Sequence, residues 1–206
     1  MPLQNRVSPF GELIASPSRG GFFGNRGGKF HSDDKALGKR RHYVSKAWIC
    51  CVLSFKGRQR DVWGRYYTEL FFMDEPTALA AGHRPCFECR RAEAKAFAEK
   101  FAGKGKAARA GEMDERLHRE RLQDDGRSKR LREVSIGDLP DGTFITLSGN
   151  ESFAVMGKHL LRWSPDGYSG AIRRPSGSAM MLTPPAITEV LARGYQPHWH
   201  PGATSL

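Results

Sequence analysis

A Cys-x-x-Cys knuckle constrains this chain more than any other feature. In the segment AGHRPCFECRR, residues 81–91, Cys86 and Cys89 are separated by two residues, a spacing at which one turn offers two thiolates to a single ion. Pro85 presets the turn, and the helix expected just beyond Cys89 directs backbone N–H groups toward the sulfurs. A tetrahedral Zn2+ takes two further ligands. The strand candidate AWICCVLSF carries Cys50 and Cys51, whose side chains point to opposite faces. Cys51 shares its face with Ile49, Leu53 and Phe55, the more apolar side, and is preferred to Cys50 as third ligand because closed zinc sites are buried. His31, just after a glycine-rich stretch, is the best upstream candidate for the fourth; His83 is nearer in sequence but is expected to face away from the turn. Two other readings stay open: ordinary buried thiols, and a redox dithiol at Cys86 and Cys89 that lacks the usual βαβ surroundings.

A chain of 206 residues, 39% hydrophobic and 27% charged, has room for one domain or two small ones around a real core. Collagen, coiled coil and full disorder are excluded on composition. The longest apolar run is strand-sized, so no membrane span is expected. The start MPLQNRVSPFGEL lacks a basic region followed by an apolar one, so no secretory signal is expected and a cytoplasmic protein is. Four cysteines are too few for a disulfide scaffold.

The net charge of +11 is uneven. Residues 1–60 hold 12 Lys/Arg against 3 Asp/Glu, whereas residues 61–102 hold 6 against 7 and residues 103–134 hold 10 against 7. A localised basic surface suits a polyanionic partner. No phosphate-binding glycine loop of the GxGxxG or GxxxxGK[ST] type is present to support nucleotide chemistry.

The pattern predicts an α+β protein in four parts: a flexible N-terminal segment (1–19), a small zinc-stapled α/β module (20–102), a charged linker with an exposed helix (103–134) and a β-rich C-terminal module (135–206). Within the zinc module, AWICCVLSF and GRYYTELFF read as a hairpin, the segment after Asp74 as a short helix ended by Gly82, and the run after Cys89 as a helix with Ala92, Ala96, Phe97 and Phe101 on one face. Asp74 suits the N-terminus of its helix. Two PDG turns, at 140–142 and 165–167, punctuate the C-terminal strands. A last short helix, AITEVLARGY, ends at Gly194 and precedes an extended tail.

The segment FFMDEPTALAAGHRPCFECRR resembles the second half of the Ada-type zinc-binding domain, in which a strand and a short Ala-rich helix lead into an R-P-C-x-x-C knuckle. The resemblance implies that Cys86 and Cys89 match the family's second ligand pair and that the module works in a DNA-repair or DNA-binding context. The first pair departs from the family pattern, since Cys50–Cys51 and the distant His31 replace two ligands a few residues apart. The chain is also similar to bacterial proteins carrying GNRG, FKGR and YTELFF segments, a likeness that implies no activity.

The expected function is therefore a zinc-binding, nucleic-acid-binding accessory protein, with DNA favoured over RNA as partner and Cys51, Cys86, Cys89 and His31 as structural metal ligands. Arg84, Arg90 and Arg91 beside the knuckle, with Arg58, Arg60, Arg40 and Arg41, are the expected phosphate contacts, together with Arg26, Lys29, Lys39 and Lys56. The alternatives are a nuclease-like enzyme with an open metal position and a protein-interaction module folded by zinc. His198 and His200 are expected to pack at the surface rather than bind metal, His118 to be solvated, and Trp163 and Tyr168 to seal a small β core.

Overall fold

The computed structural model describes residues 1–39, 41–59 and 61–205, so Arg40 and Arg60 lie outside the described residues. The described chain forms two six-stranded sheets and four α-helices, the α+β class that the sequence predicts. The first sheet contains β1 (Gln4–Val7), β2 (Leu13–Ala15), β3 (Phe22–Asn25), β4 (Ile49–Cys51), β5 (Leu70–Phe72) and β6 (Arg84–Pro85), in the order β2-β1-β5-β3-β4-β6.

Two expectations fail in this sheet. Residues 4–15, assigned to a flexible segment, pair as an antiparallel hairpin, and β1 joins β5 in parallel. The strands carrying Cys51 and Phe72 are not hairpin partners, because β3 lies between them, with Phe23 opposite Cys51 on one side and Phe71 on the other. The glycine-rich segment that reads as a loop supplies this central strand. At Gly24 a Cβ would lie 2.3 Å from the Ile49 carbonyl oxygen and 2.6 Å from the Phe72 ring, so only glycine lets the three strands close at that point.

The short helix α1 (Glu75–Ala80) starts as expected. Asp74 is its N-cap, with Oδ1 accepting the Thr77 N–H at 2.9 Å, and Pro76 stands in the first turn. Gly82 follows at φ +84°, where a Cβ would also strike the Arg121 side chain at 2.6 Å. In α2 (Arg91–Ala102) the buried face is Ala94, Phe97, Ala98 and Phe101, at i, i+3, i+4 and i+7, while Ala92 is exposed. The sequence reading is thus rotated by part of a turn, because alanines occupy both faces and only the two phenylalanines mark the inner one.

The charged segment is not an exposed linker helix. Helix α3 (Ala110–Arg121) buries Met113 and Leu117 completely in one cluster with Phe97 and Phe101 of α2 and Ile187 and Val190 of α4 (Pro185–Ala192). Each such residue contributes about 1.5–3 kcal/mol by leaving water. A two-residue stripe suffices because helices close over it from both sides.

The second sheet contains β7 (Arg132–Ser135), β8 (Phe144–Thr146), β9 (Phe153–Met156), β10 (His159–Ser164), β11 (Gly167–Arg173) and β12 (Ser178–Met181), in the order β11-β10-β9-β8-β12-β7. The second PDG closes the β10–β11 hairpin, with Ser164 opposite Gly167. Tyr168 is buried in this sheet's core, as expected, and donates its hydroxyl to Asp74 at 2.7 Å. The tail after α4 is packed rather than free: the His198 N–H bonds Glu75 at 2.9 Å and the His200 N–H bonds Asp74 at 3.2 Å before a 3-10 turn over Pro201–Ser205. The acidic pair at the start of α1 therefore collects donors from the C-terminal part of the chain.

Candidate metal centre

Cys51, Cys86 and Cys89 come together because β6 runs parallel to β4. Pro85 pairs with Cys50, and the Cys86 N–H donates to the Cys50 carbonyl at 3.0 Å. That register sets the knuckle beside the next residue of β4. The turn is closed by the Arg90 N–H on the Cys86 carbonyl at 3.0 Å, and the Glu88 N–H points at the Cys86 sulfur at 3.4 Å. The three Sγ atoms all lie within 4.8 Å of one another, with Cys51 and Cys86 buried and Cys89 half-buried. Thiolates bound to one Zn2+ at about 2.3 Å would stand roughly 3.8 Å apart. The donor set therefore fits a soft, tetrahedral ion.

Strand alternation separates the adjacent cysteines. Cys50 turns to the opposite face, fully buried among Val7, Leu13, Leu70 and Phe72, with the Arg90 guanidinium 3.5 Å from its sulfur. Burial holds its thiol far above the ordinary range. In the cluster, hydrogen bonds from Cys51 and Cys89, helped by the Cys89 and Glu88 N–H groups, draw the Cys86 thiol well down despite burial. The same hydrogen bonds, from the donor's side, and burial drive the Cys51 thiol up. A cation among the three sulfurs would take the place of the thiol protons, since a thiol binds metal as the thiolate.

The expected fourth ligand is elsewhere. His31 is buried with Nδ1 2.7 Å from the Thr68 hydroxyl and its ring stacked on Trp63 at 5.0 Å. Burial, with Lys29 nearby, lowers its pKa and favours the neutral ring. A histidine downstream of a glycine-rich stretch here serves aromatic packing instead. His83 also faces away, accepting from Arg26 Nε at 3.3 Å between the rings of Trp48 and Phe72. Among the described residues no other Cys, His, Asp or Glu joins the three sulfurs. The cluster instead borders a cavity of about 600 Å3, whose other walls include Phe55, Arg58, Asp61, Tyr66 and Glu69. Glu69 is held in that wall by the Trp63 N–H, 2.7 Å from its Oε2.

The arginines beside the knuckle divide sharply. Arg84 is buried and gripped by both oxygens of Asp114, at 2.8 Å each, which fastens β6 to α3. Arg90, 1% exposed, donates to Glu75 at 2.7 Å and lies 4.7 Å from the Phe22 ring centroid. Neither is placed to meet a phosphate, which corrects the sequence reading: proximity to the knuckle identified them, but both side chains point into the core. Arg91, Arg41 and Arg58 are exposed, although Arg58 pairs with Glu88 at 2.6 Å. His198 lies 3.6 Å from Glu93, and His200 caps the terminal turn through the Gly202 N–H. His118 is half-buried, with Nδ1 2.9 Å from Arg121, rather than solvated.

Sequence reasoning did not single out three cations on the other face of the first sheet: Arg26, grouped only with other phosphate contacts, and Arg121 and Lys129, inside the presumed linker. Their only signal was an excess of basic residues. No helix of the described residues is long and apolar enough to cross a membrane. No family model matches the chain, and neither a curated protein nor a solved structure does.

Proposed function

We propose that this is a zinc protein in which Cys51, Cys86 and Cys89 hold one Zn2+, and that it acts as an accessory protein on nucleic acid, DNA before RNA. The single observation that carries the metal reading is the convergence of three sulfurs from two distant segments within 4.8 Å. Bound there, Zn2+ supplies a crosslink between β4 and the knuckle, as zinc does in small modules that depend on it for folding. The Ada-type resemblance of the knuckle supports the DNA context, and the net charge of +11 supports a polyanionic partner. The phosphate contacts in this reading are the exposed Arg41 and Arg91, with Arg84 and Arg90 withdrawn to structural ion pairs. Binding to duplex DNA, single-stranded DNA and RNA across a salt series tests it. The expected result is affinity that falls linearly with log salt, with Arg41→Ala and Arg91→Ala each reducing the slope by about one. Salt-independent failure to bind any of the three would leave zinc as a folding device for a protein-interaction module.

A second reading rests on the cavity beside the cluster, which favours a metal whose fourth position takes a ligand from outside the chain. Cobalt substitution separates the two. A visible spectrum that shifts on adding imidazole or cyanide supports an open position and an enzyme, and an unresponsive four-coordinate spectrum supports a closed staple.

A further inference from the structure

Cys50, facing away from the cluster, packs with Leu13 and Ala81, and these two line a second cavity of about 790 Å3 that shares no wall residue with the first. Three cations enter it from separate segments. Arg26, 3% exposed, follows β3; its Nη2 donates to the Gly11 carbonyl at 2.8 Å and its Nε to His83. Arg121, 1% exposed, ends α3; it donates to the carbonyls of Gly82 at 3.0 Å and Lys46 at 2.8 Å, while its Nε is buried with no hydrogen-bond partner. Lys129 delivers its ammonium to the Ala80 carbonyl. The Arg26 and Arg121 guanidiniums lie 3.9 and 3.8 Å from the centroid of the Trp48 ring.

Carbonyls and an aromatic ring orient these groups, and none of the three has a carboxylate at ion-pair distance among the described residues; Asp114, whose charge acts on Arg121 at longer range, is held through both oxygens by Arg84. Two acids reach the cavity, Glu12 and Asp125, and Asp125 is occupied by the N–H groups of Arg127 and Ser128 and the Ser128 hydroxyl. Buried charge without compensation is costly. Desolvation, joined by mutual repulsion for Lys129 and Arg121, lowers Lys129 to about 7 and Arg121 far below its usual range; desolvation alone lowers Arg26 to about 9. Elsewhere in the molecule buried arginines are neutralised, Arg84 by Asp114 and Arg90 by Glu75. The contrast points to a ligand that carries the missing charge.

We propose that this cavity binds a phosphorylated small molecule, its phosphoryl oxygens between Arg26, Arg121 and Lys129. Arg41 and Arg127 meet it at the exposed rim, and Phe10, Leu13 and Ile14 face its organic part. The volume suits a ligand of nucleotide size. The inference stands apart from the zinc reading, since the two cavities share no residue.

Inorganic pyrophosphate, titrated into the full-length protein at constant ionic strength, is the direct probe, with citrate and a single-stranded oligonucleotide as comparison anions. The expected result is saturable one-site binding that raises Tm, weakened about tenfold or more by Lys129→Met, as for loss of a charge-assisted hydrogen bond. The same substitution is expected to raise Tm of the free protein, because a neutral side chain relieves the buried repulsion; a purely structural lysine would do the reverse. Arg41→Ala and Arg127→Ala, at exposed positions, are expected to fold normally and to weaken binding a few-fold, so they decide the matter if Lys129→Met does not fold. No response to millimolar pyrophosphate, an equal response in wild type and rim variants, or a response to citrate or the oligonucleotide alone would overturn the proposal.

Discussion

The two cavities flank the same sheet and carry opposite chemistry. On one face three sulfurs converge beside an opening; on the other, two buried arginines and the half-buried Lys129 have no carboxylate partner among the described residues. Each region is unbalanced by itself. The ionic pairs that fasten the knuckle, Arg84 with Asp114 and Arg90 with Glu75, are complete. A protein that neutralises buried arginines in two places and leaves three cations unneutralised in a third separates scaffold from site by charge balance. Burial alone does not make that distinction, since Arg90 and Arg121 are each 1% exposed.

The largest effects should come from the sulfur face. Cys86→Ser or Cys51→Ser is expected to abolish metal retention and to remove or strongly broaden the thermal transition, measured by calorimetry with and without chelator. Next are the complete ion pairs. Glu75→Gln leaves Arg90 buried and weakens the bonds from Tyr195 and the His198 N–H, so a loss of about 3–5 kcal/mol in urea unfolding is expected. Asp114→Asn should cost a similar amount through Arg84. If either is neutral, the scaffold half of the comparison fails.

The cationic face gives a pH signature. Lys129 has its folded pKa lowered to about 7 from an ordinary 10.5, so the unfolded chain binds the extra proton between those values and stability recovers as pH rises through that window. The Tm gain from Lys129→Met is therefore expected to be largest below pH 7 and to shrink toward pH 10.5. Taking the difference between variant and wild type cancels the thiols of the unfolded chain, which titrate in the same window. A pH-independent difference would place the ammonium in water. The smallest effect belongs to Arg58→Ala: its pair with Glu88 is exposed on both sides and screened by solvent, so the urea unfolding midpoint should stay where it is in wild type.

The same comparison shows what the sequence makes legible. The sulfur cluster was readable because its geometry is local: two residues between Cys86 and Cys89, and a period of two that sends Cys51 and Cys50 to opposite faces. Asp74 as N-cap and the Gly82 stop were readable for the same reason. His31 was misassigned because a histidine's partners, Thr68 and Trp63, lie more than thirty residues away. The intervening β3 was hidden by glycine, which signals a loop until its neighbours show that no Cβ fits. Arg26, Arg121 and Lys129 meet only through tertiary packing, and α3, which carries Arg121, looked solvated because two apolar residues anchor it. Charge asymmetry led to the expectation of a polyanionic partner but does not distinguish a surface from a cavity.

The most direct test of the central claim is the zinc content per chain of the purified protein, compared among wild type, Cys50→Ala and Cys51→Ser. The account expects one equivalent in wild type and in Cys50→Ala, and none in Cys51→Ser. Zinc absent from all three, or lost equally from both variants, would contradict it.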